Sequence, residues 1–307
     1  MVASPEPYGI EDAAFDVKRR SPDERIAGAL VRGYEGYIDR REHGVDRHLP
    51  TTFIPVIIGF GSPMFIRDAA APAAPAAPHT AFVAGMFEAP SVAEVAAGGR
   101  GVQVDFTPIA AYRFFGVPMH ELANRIVDLP DVFGPSARTL VEQLQAAPTW
   151  ARRFDLIDAF ILPRLHEGPP ISREVVHAWR RLALARGNLH IGELAAEAGW
   201  SRKHFIERFR EHVGLPPKAV ARIMRFNHAL RLLQGAVDRR WVDVAHAAGY
   251  YDQAHMIRDF RQFAGVSPTE FARSADHMFR AFKDDTRAPE EGNALERIIA
   301  RCSESQQ

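Results

Sequence analysis

Glu193-Leu-Ala-Ala-Glu-Ala-Gly-Trp-Ser201 and Asp243-Val-Ala-His-Ala-Ala-Gly-Tyr-Tyr251 say nearly the same thing twice, and each runs into a basic helical pattern. Ala195, Ala198, Gly199 and Trp200 recur as Ala245, Ala248, Gly249 and Tyr250. Past the turn the offset grows by one, so that Phe205, Phe209, Arg210 and Gly214 recur as Met256, Phe260, Arg261 and Gly265. One residue has been inserted in the second turn, as turns tolerate and packed helices do not.

Each copy carries the parts of a helix-turn-helix. The alanines let a first helix approach a second closely, and Gly199 and Gly249 stand where the chain reverses, a position that favours a left-handed backbone. Trp200 and Tyr250 plug the angle between the helices, and Ser201 and Asp252 offer an oxygen to the free N–H groups of the second helix. Phe205 and Phe209, and Met256, Phe260 and Phe263, recur at helical spacing and form a stripe to be buried. The opposite face of each second helix is then free: Arg202, Lys203, Ile206 and Glu207, with Arg210 a turn later, and Gln253, Ala254, Ile257 and Arg258, with Arg261.

Such a mixture suits the major groove of DNA. Arg and Lys reach guanine O6 and N7, Gln pairs with adenine, and Ala or Ile touches a thymine methyl. Glu207 either accepts from cytosine N4 or orients Arg210 or Lys203. Candidate phosphate contacts, which position without specifying, are Ser201, Arg210, Arg222, Arg225, Arg239, Arg240 and Arg261. Between Gly187 and Ser274 there are thirteen Lys or Arg against nine Asp or Glu in a chain that is neutral overall, so the basic excess is local.

The stretch from Ile191 to Ser274 resembles the DNA-binding domain of the AraC/XylS family of bacterial transcription regulators. The resemblance rests on the duplicated turns, Gly214-Leu-Pro-Pro217, Ala229-Leu-Arg-Leu-Leu233, Gly249-Tyr-Tyr-Asp-Gln-Ala-His255, Phe260-Arg-Gln-Phe263, Gly265-Val-Ser-Pro268 and Phe271. It implies two helix-turn-helix subdomains joined by one helix, Ala219 to Leu233, reading successive major grooves about 34 Å apart. Ile206 and Glu207 depart from the basic or polar residues frequent at those positions in the family.

Ahead of this lies a different texture. Phe53-Ile-Pro-Val-Ile-Ile-Gly-Phe60, Thr80-Ala-Phe-Val-Ala84 and Gly101-Val-Gln-Val-Asp-Phe106 read as strands, with Val102, Val104 and Phe106 on one face. Ala69-Ala-Ala-Pro-Ala-Ala-Pro-Ala-Ala-Pro78 reads as a surface loop, Pro108 to Phe115 as a short helix and Pro118 to Leu129 as another. Phe154 to Leu162 is an apolar helix, and Ser172 caps a further one carrying Val175, Val176, Trp179 and Leu182. This N-terminal part is similar to the sensor or companion domains of the same family, among which cupin-like barrels are frequent.

The expected fold class is α+β: an N-terminal mixed, β-rich, candidate cupin-like sensor or dimerisation domain (1–147), a helical linker (148–185), an all-α tandem helix-turn-helix domain (186–275) and a tail (276–307). The function expected is a cytoplasmic, DNA-binding transcription regulator without enzymatic activity or cofactor. Its expected partners are a double-stranded operator, a small-molecule effector or a second copy at the N-terminal domain, RNA polymerase if it activates, and no membrane. The alternatives are a cupin-type enzyme fused to the reader and a regulator whose N-terminal domain only dimerises. A metal enzyme would need converging ligands. His43, His48, His79 and His120 are available, but they form no His-x-His pair. One cysteine, Cys302, leaves no internal disulfide. The N-terminus lacks the basic start and apolar core of a signal peptide.

Overall fold

The computed structural model describes residues 15–67, 75–234 and 240–274. Within the first half the strands are β1 (Phe15–Arg20), β2 (Tyr34–Asp39), β3 (His43–His48), β4 (Ile54–Gly59), β5 (Met64–Arg67), β6 (Ala77–His79), β7 (Ala81–Ala84), β8 (Ser91–Ala96), β9 (Arg100–Phe106) and β10 (Ile126–Asp128). They form a six-stranded sheet, ordered β1-β2-β9-β4-β7-β10, and a four-stranded sheet, ordered β3-β8-β5-β6. The pairings are antiparallel.

The helices are α1 (Pro108–Phe115), α2 (Leu129–Phe133), α3 (Pro135–Ala146), α4 (Trp150–Glu167), α5 (Arg173–Leu184), α6 (Ile191–Glu197), α7 (Arg202–Val213), α8 (Pro217–Gln234), α9 (Trp241–Ala247), α10 (Gln253–Ala264) and α11 (Pro268–Ser274). The α+β class, β-rich before and helical after, is as the sequence indicates.

Period-two alternation gives the large sheet two unlike faces. Val102, Val104 and Phe106 are sealed on the face that meets the helices. Phe106 stacks on Phe114 of α1 at 4.6 Å, and Tyr34 stacks on Phe154 of α4 at 5.8 Å. Gly36 is required here because a Cβ would come within 2.4 Å of the Trp150 ring. The other face carries Ile57 and Phe82, which pack on Ile66 and Ala93 of the small sheet.

Two expectations are corrected. Residues 118–129 do not form a helix: after a short 3₁₀ turn at Met119–Glu121, Asn124 adopts a left-handed φ of 57°, and Ile126–Asp128 pairs with β7. The Asn124 side chain accepts from the Glu88 N–H at 2.8 Å and its own N–H donates to the Met86 carbonyl at 2.9 Å, so tertiary partners win over helical ones. In the Ala/Pro tract, Ala77 and Pro78 belong to edge strand β6, where proline is tolerated, and residues 68–74 lie outside the described part.

Helix α4 is tied to the large sheet at one end and to α1 at the other. Arg20 pairs with Asp155 and Asp158 at 2.5 Å each, and the Tyr34 hydroxyl donates to Asp158 at 2.7 Å. At its C-terminus, the buried Arg113 guanidinium donates to the carbonyls of Leu165 (2.5 Å), His166 (2.7 Å) and Pro169 (3.3 Å), groups that a helix end leaves unpaired. The Ser172 hydroxyl accepts from the Val175 N–H and starts α5, whose Val175, Val176, Trp179 and Leu182 are buried.

Candidate nucleic-acid interface

Helices α6 and α7, then α9 and α10, build the two turns, and α8 joins them. Gly199 and Gly249 take φ values of +68° and +81°, which a side chain would oppose. Ser201 Oγ accepts from the His204 N–H at 3.3 Å, and Asp252 Oδ1 accepts from the His255 N–H at 2.6 Å. Phe205, Phe209, Met256, Phe260 and Phe263 are fully buried. Each corner also holds a ring pair that sequence reasoning missed: Trp200 meets His204 edge-on at 4.8 Å, and Tyr250 meets His255 at 5.2 Å. The spacing of these pairs along the duplicated turns was the available signal.

With the stripes inside, the outer faces are laid bare. Arg202, Lys203, Glu207 and Arg210 are exposed on α7, and Ile206 is half-buried against the core. On α10, Ala254, Arg258 and Arg261 are exposed, and Gln253 and Ile257 half-buried. Lys203 and Glu207 lie 3.9 Å apart one turn from each other, so Glu207 faces a cation already on its own helix. Arg240 is exposed where α9 begins, and Arg239 lies outside the described residues.

Arg222 and Arg225 are placed differently. The Arg222 guanidinium donates to Asp259 at 2.6 Å and to Gln262 Oε1 at 2.6 Å, bolting α8 to α10, and Asp259 is only 1% exposed. Arg225 donates to the Gly187 carbonyl at 2.7 Å and lies over the Tyr250 ring. These partners stand far off in sequence, which is why helical spacing alone reads both arginines as surface cations.

The same helices dock on the N-terminal unit through their C-terminal ends. Tyr112 of α1 packs on His212 of α7, and its hydroxyl donates to Glu211 at 3.3 Å. The Ser172 N–H donates to His212 Nε2 (3.2 Å), and His212 Nδ1 donates to the Arg208 carbonyl (3.0 Å). The bond accepted by Nε2 requires a neutral ring, and burial holds its pKa below the ordinary value. Near the second turn, burial and then the neighbouring Arg186 and Arg231 push His228 down to about 4. For α10, Gln262 Nε2 donates to the Glu88 carbonyl at 3.4 Å.

The candidate metal ligands do not converge. His79 bonds Asp128 at 2.8 Å, His43 and His48 both lie on β3, and among the described residues no group of three or more His, Cys, Asp or Glu could hold a metal ion. Among the same residues no helix is long and apolar enough to cross a membrane.

Residues 194–274 match the family described as "Helix-turn-helix domain", and residues 18–128 match a "Domain of unknown function (DUF6597)". An "Uncharacterized HTH-type transcriptional regulator YbfI" of Bacillus subtilis is 33% identical over 69 residues, 22% of this chain and 24% of that protein. An "Uncharacterized HTH-type transcriptional regulator" of Haemophilus influenzae is 31% identical over 85 residues, 28% of each. The chain thus spans about a quarter of the length of the curated relatives it matches. Among solved structures, the DNA-binding domain of AdpA in complex with a target DNA is 26% identical, covering 34% of this chain and 93% of that one at a TM-score of 0.32. Residues 194–274, which hold the duplicated turns, thus form a helix-turn-helix domain similar to those of HTH-type transcriptional regulators.

Proposed function

We propose that the chain is a sequence-specific, double-stranded-DNA-binding transcription regulator that reads two successive major grooves. One observation carries the reading: both second helices bury an apolar stripe, dock through their C-terminal ends, and leave the face that begins at Ser201 and Asp252 exposed. On this reading Arg202, Lys203, Ile206, Glu207, Gln253, Ala254, Ile257 and Arg258 face base edges. Ser201, Arg210, Arg240 and Arg261 hold phosphates. Arg222 and Arg225 serve first as struts inside the domain.

The proposed division is a sensor or dimerisation domain over 1–147, a linker over 148–185 and the reader over 186–275, followed by a tail at 276–307 that lies outside the described residues. What supports a small-molecule effector is the sparse packing between the sheets. Among the described residues, Ile57, Ile66, Phe82 and Ala93 form the buried cluster there, and Tyr37, Met64 and Ile126 around them are half-buried. The opposite face of the large sheet is sealed. Asp105 lies on the inner face with Arg32 and Gln103, and burial raises its pKa despite both partners. Binding that tightens this space would be transmitted to α7 through α1. A second copy at the N-terminal domain, and RNA polymerase if the protein activates, complete the partners in this reading.

The test is selection of bound duplexes from a random pool by the full chain at physiological salt, followed by sequencing. Two short enriched blocks centred about ten base pairs apart are the expected result. A single block would reduce the reading to one head, and no enrichment with or without added metabolite extracts would overturn it.

A further inference from the structure

The residue by which the second turn is longer than the first is Tyr251. Trp200 corresponds to Tyr250 and the cap Ser201 to the cap Asp252, so Tyr251 has no counterpart in the first head. It is also 87% exposed, among the barest large side chains described. Its neighbours are fixed. Tyr250 is 3% exposed, and the Asp252 carboxylate is engaged with the His255 N–H. An aromatic ring is thus held in water on a rigid corner, immediately ahead of Gln253 and Ala254 on the face assigned to DNA.

We propose that Tyr251 is a DNA-backbone contact of the second head, its phenolic hydroxyl donating to a phosphate oxygen and its ring lying against the adjoining deoxyribose. The inference rests on the DNA-binding reading above. Three features favour the backbone over a base. Tyr251 precedes the cap and not the exposed face of α10, so it flanks the groove that the helix enters. A phenol combines an apolar body with one donor tip, which matches a sugar and its phosphate. Placed beside the unpaired N–H groups at the start of α10, it adds a neutral donor where anions are already favoured. Because the first head passes directly from Trp200 to Ser201, the contact makes the two heads unequal and gives the protein a direction on its site.

The experiment titrates the full chain and its Y251F and Y251A variants into a fluorescein-labelled duplex enriched from the random pool, and into a random-sequence duplex of equal length, over a salt series. Wild-type thermal unfolding should be kept by both variants, since the side chain is exposed. Y251A is expected to weaken binding to both duplexes by the same factor, on the order of tenfold, and Y251F by part of that. The slope of log K against log salt should stay as in wild type, because a neutral donor releases no counterion of its own. Loss confined to the enriched duplex would make Tyr251 a base reader and overturn the proposal. Unchanged affinity would overturn it too, including the case where wild type self-associates and Y251A abolishes that, which would assign the residue to a second copy. If wild type bound neither duplex, the DNA-binding reading itself would fall, and the proposal with it.

Discussion

The Tyr112 ring lies 4.3 Å from the His212 imidazole, inclined by 32°, and joins the N-terminal unit to the first helix-turn-helix. The imidazole must be neutral to accept from Ser172, and His228 is likewise held neutral beside Arg186. Both folded-state pKa values lie below the unfolded value near 6.5. The unfolded chain therefore binds more protons, and stability falls as pH drops from about 6.5 towards about 4. For His228 the loss is on the order of 3 kcal/mol. Urea unfolding at pH 7.5, 6 and 4.5 checks this. H212Q, which keeps an acceptor without a titrating ring, should flatten part of the dependence, and a midpoint unchanged with pH in wild type would refute the argument.

Arg222 separates folding from DNA binding. R222A leaves the Asp259 carboxylate buried without its cation, which typically costs about 3 kcal/mol. The R222A/D259A double variant should recover part of that, as a coupled pair does. Full stability in R222A together with weaker binding to every duplex would instead make the arginine a phosphate contact.

R258A should behave in the opposite way. The side chain is exposed, so stability should stay within about 0.5 kcal/mol. Affinity for the enriched duplex should fall by ~1–3 kcal/mol and one position of the motif should relax. Repeating the selection with R258A reads both quantities. Equal loss on random DNA would remove Arg258 from the base-reading face.

Gly199 and Gly249 share a sequence role but not an environment. An added Cβ at Gly199 meets nothing within 4 Å, so G199A costs only the left-handed backbone penalty, roughly 1–2 kcal/mol. At Gly249 the Cβ would lie 3.3 Å from the Asn188 side chain, so G249A should cost more. Thermal unfolding of the two variants gives the order directly, and G199A unfolding lower than G249A would contradict it.

The reader was legible because its corners are built from local chemistry: glycine at a positive φ, an aromatic plug, an oxygen cap and a stripe at helical spacing. Strands β4, β7 and β9 were legible because their faces are apolar. Strands β1 and β3 were not. Phe15-Asp-Val-Lys-Arg-Arg20 and His43-Gly-Val-Asp-Arg-His48 look like solvated loops, and only their cross-strand partners make strands of them. Arg19 meets Glu35 at 2.8 Å, and Arg41 clamps Asp39 and Asp46 at 2.7 Å each. The ladder that makes a strand of β3 runs to β8, a segment distant in sequence, so no local pattern announces it. The same reason hid the engagement of Arg222 and Arg225.

The two heads are attached unequally, which exchange kinetics should resolve. Tyr112 and His212 bring the C-terminal end of α7 into the N-terminal core, and Gly214 closes within 3.2 Å of the Met119 carbonyl when a Cβ is added. The second head meets that unit through the 3.4 Å Gln262–Glu88 bond and the Gly265 turn near Arg47, contacts with little apolar burial. Local opening takes less free energy where few buried apolar contacts must break. Amide hydrogen exchange should therefore find Y112A accelerating α7 and leaving α10 unchanged, whereas Q262E, which keeps an acceptor for Arg222 and loses the donor to Glu88, should alter neither helix beyond its own last turn. If Q262E instead accelerated all of α10, the second head would owe its order to the N-terminal unit, and an effector there would act on both heads at once and not first on α7.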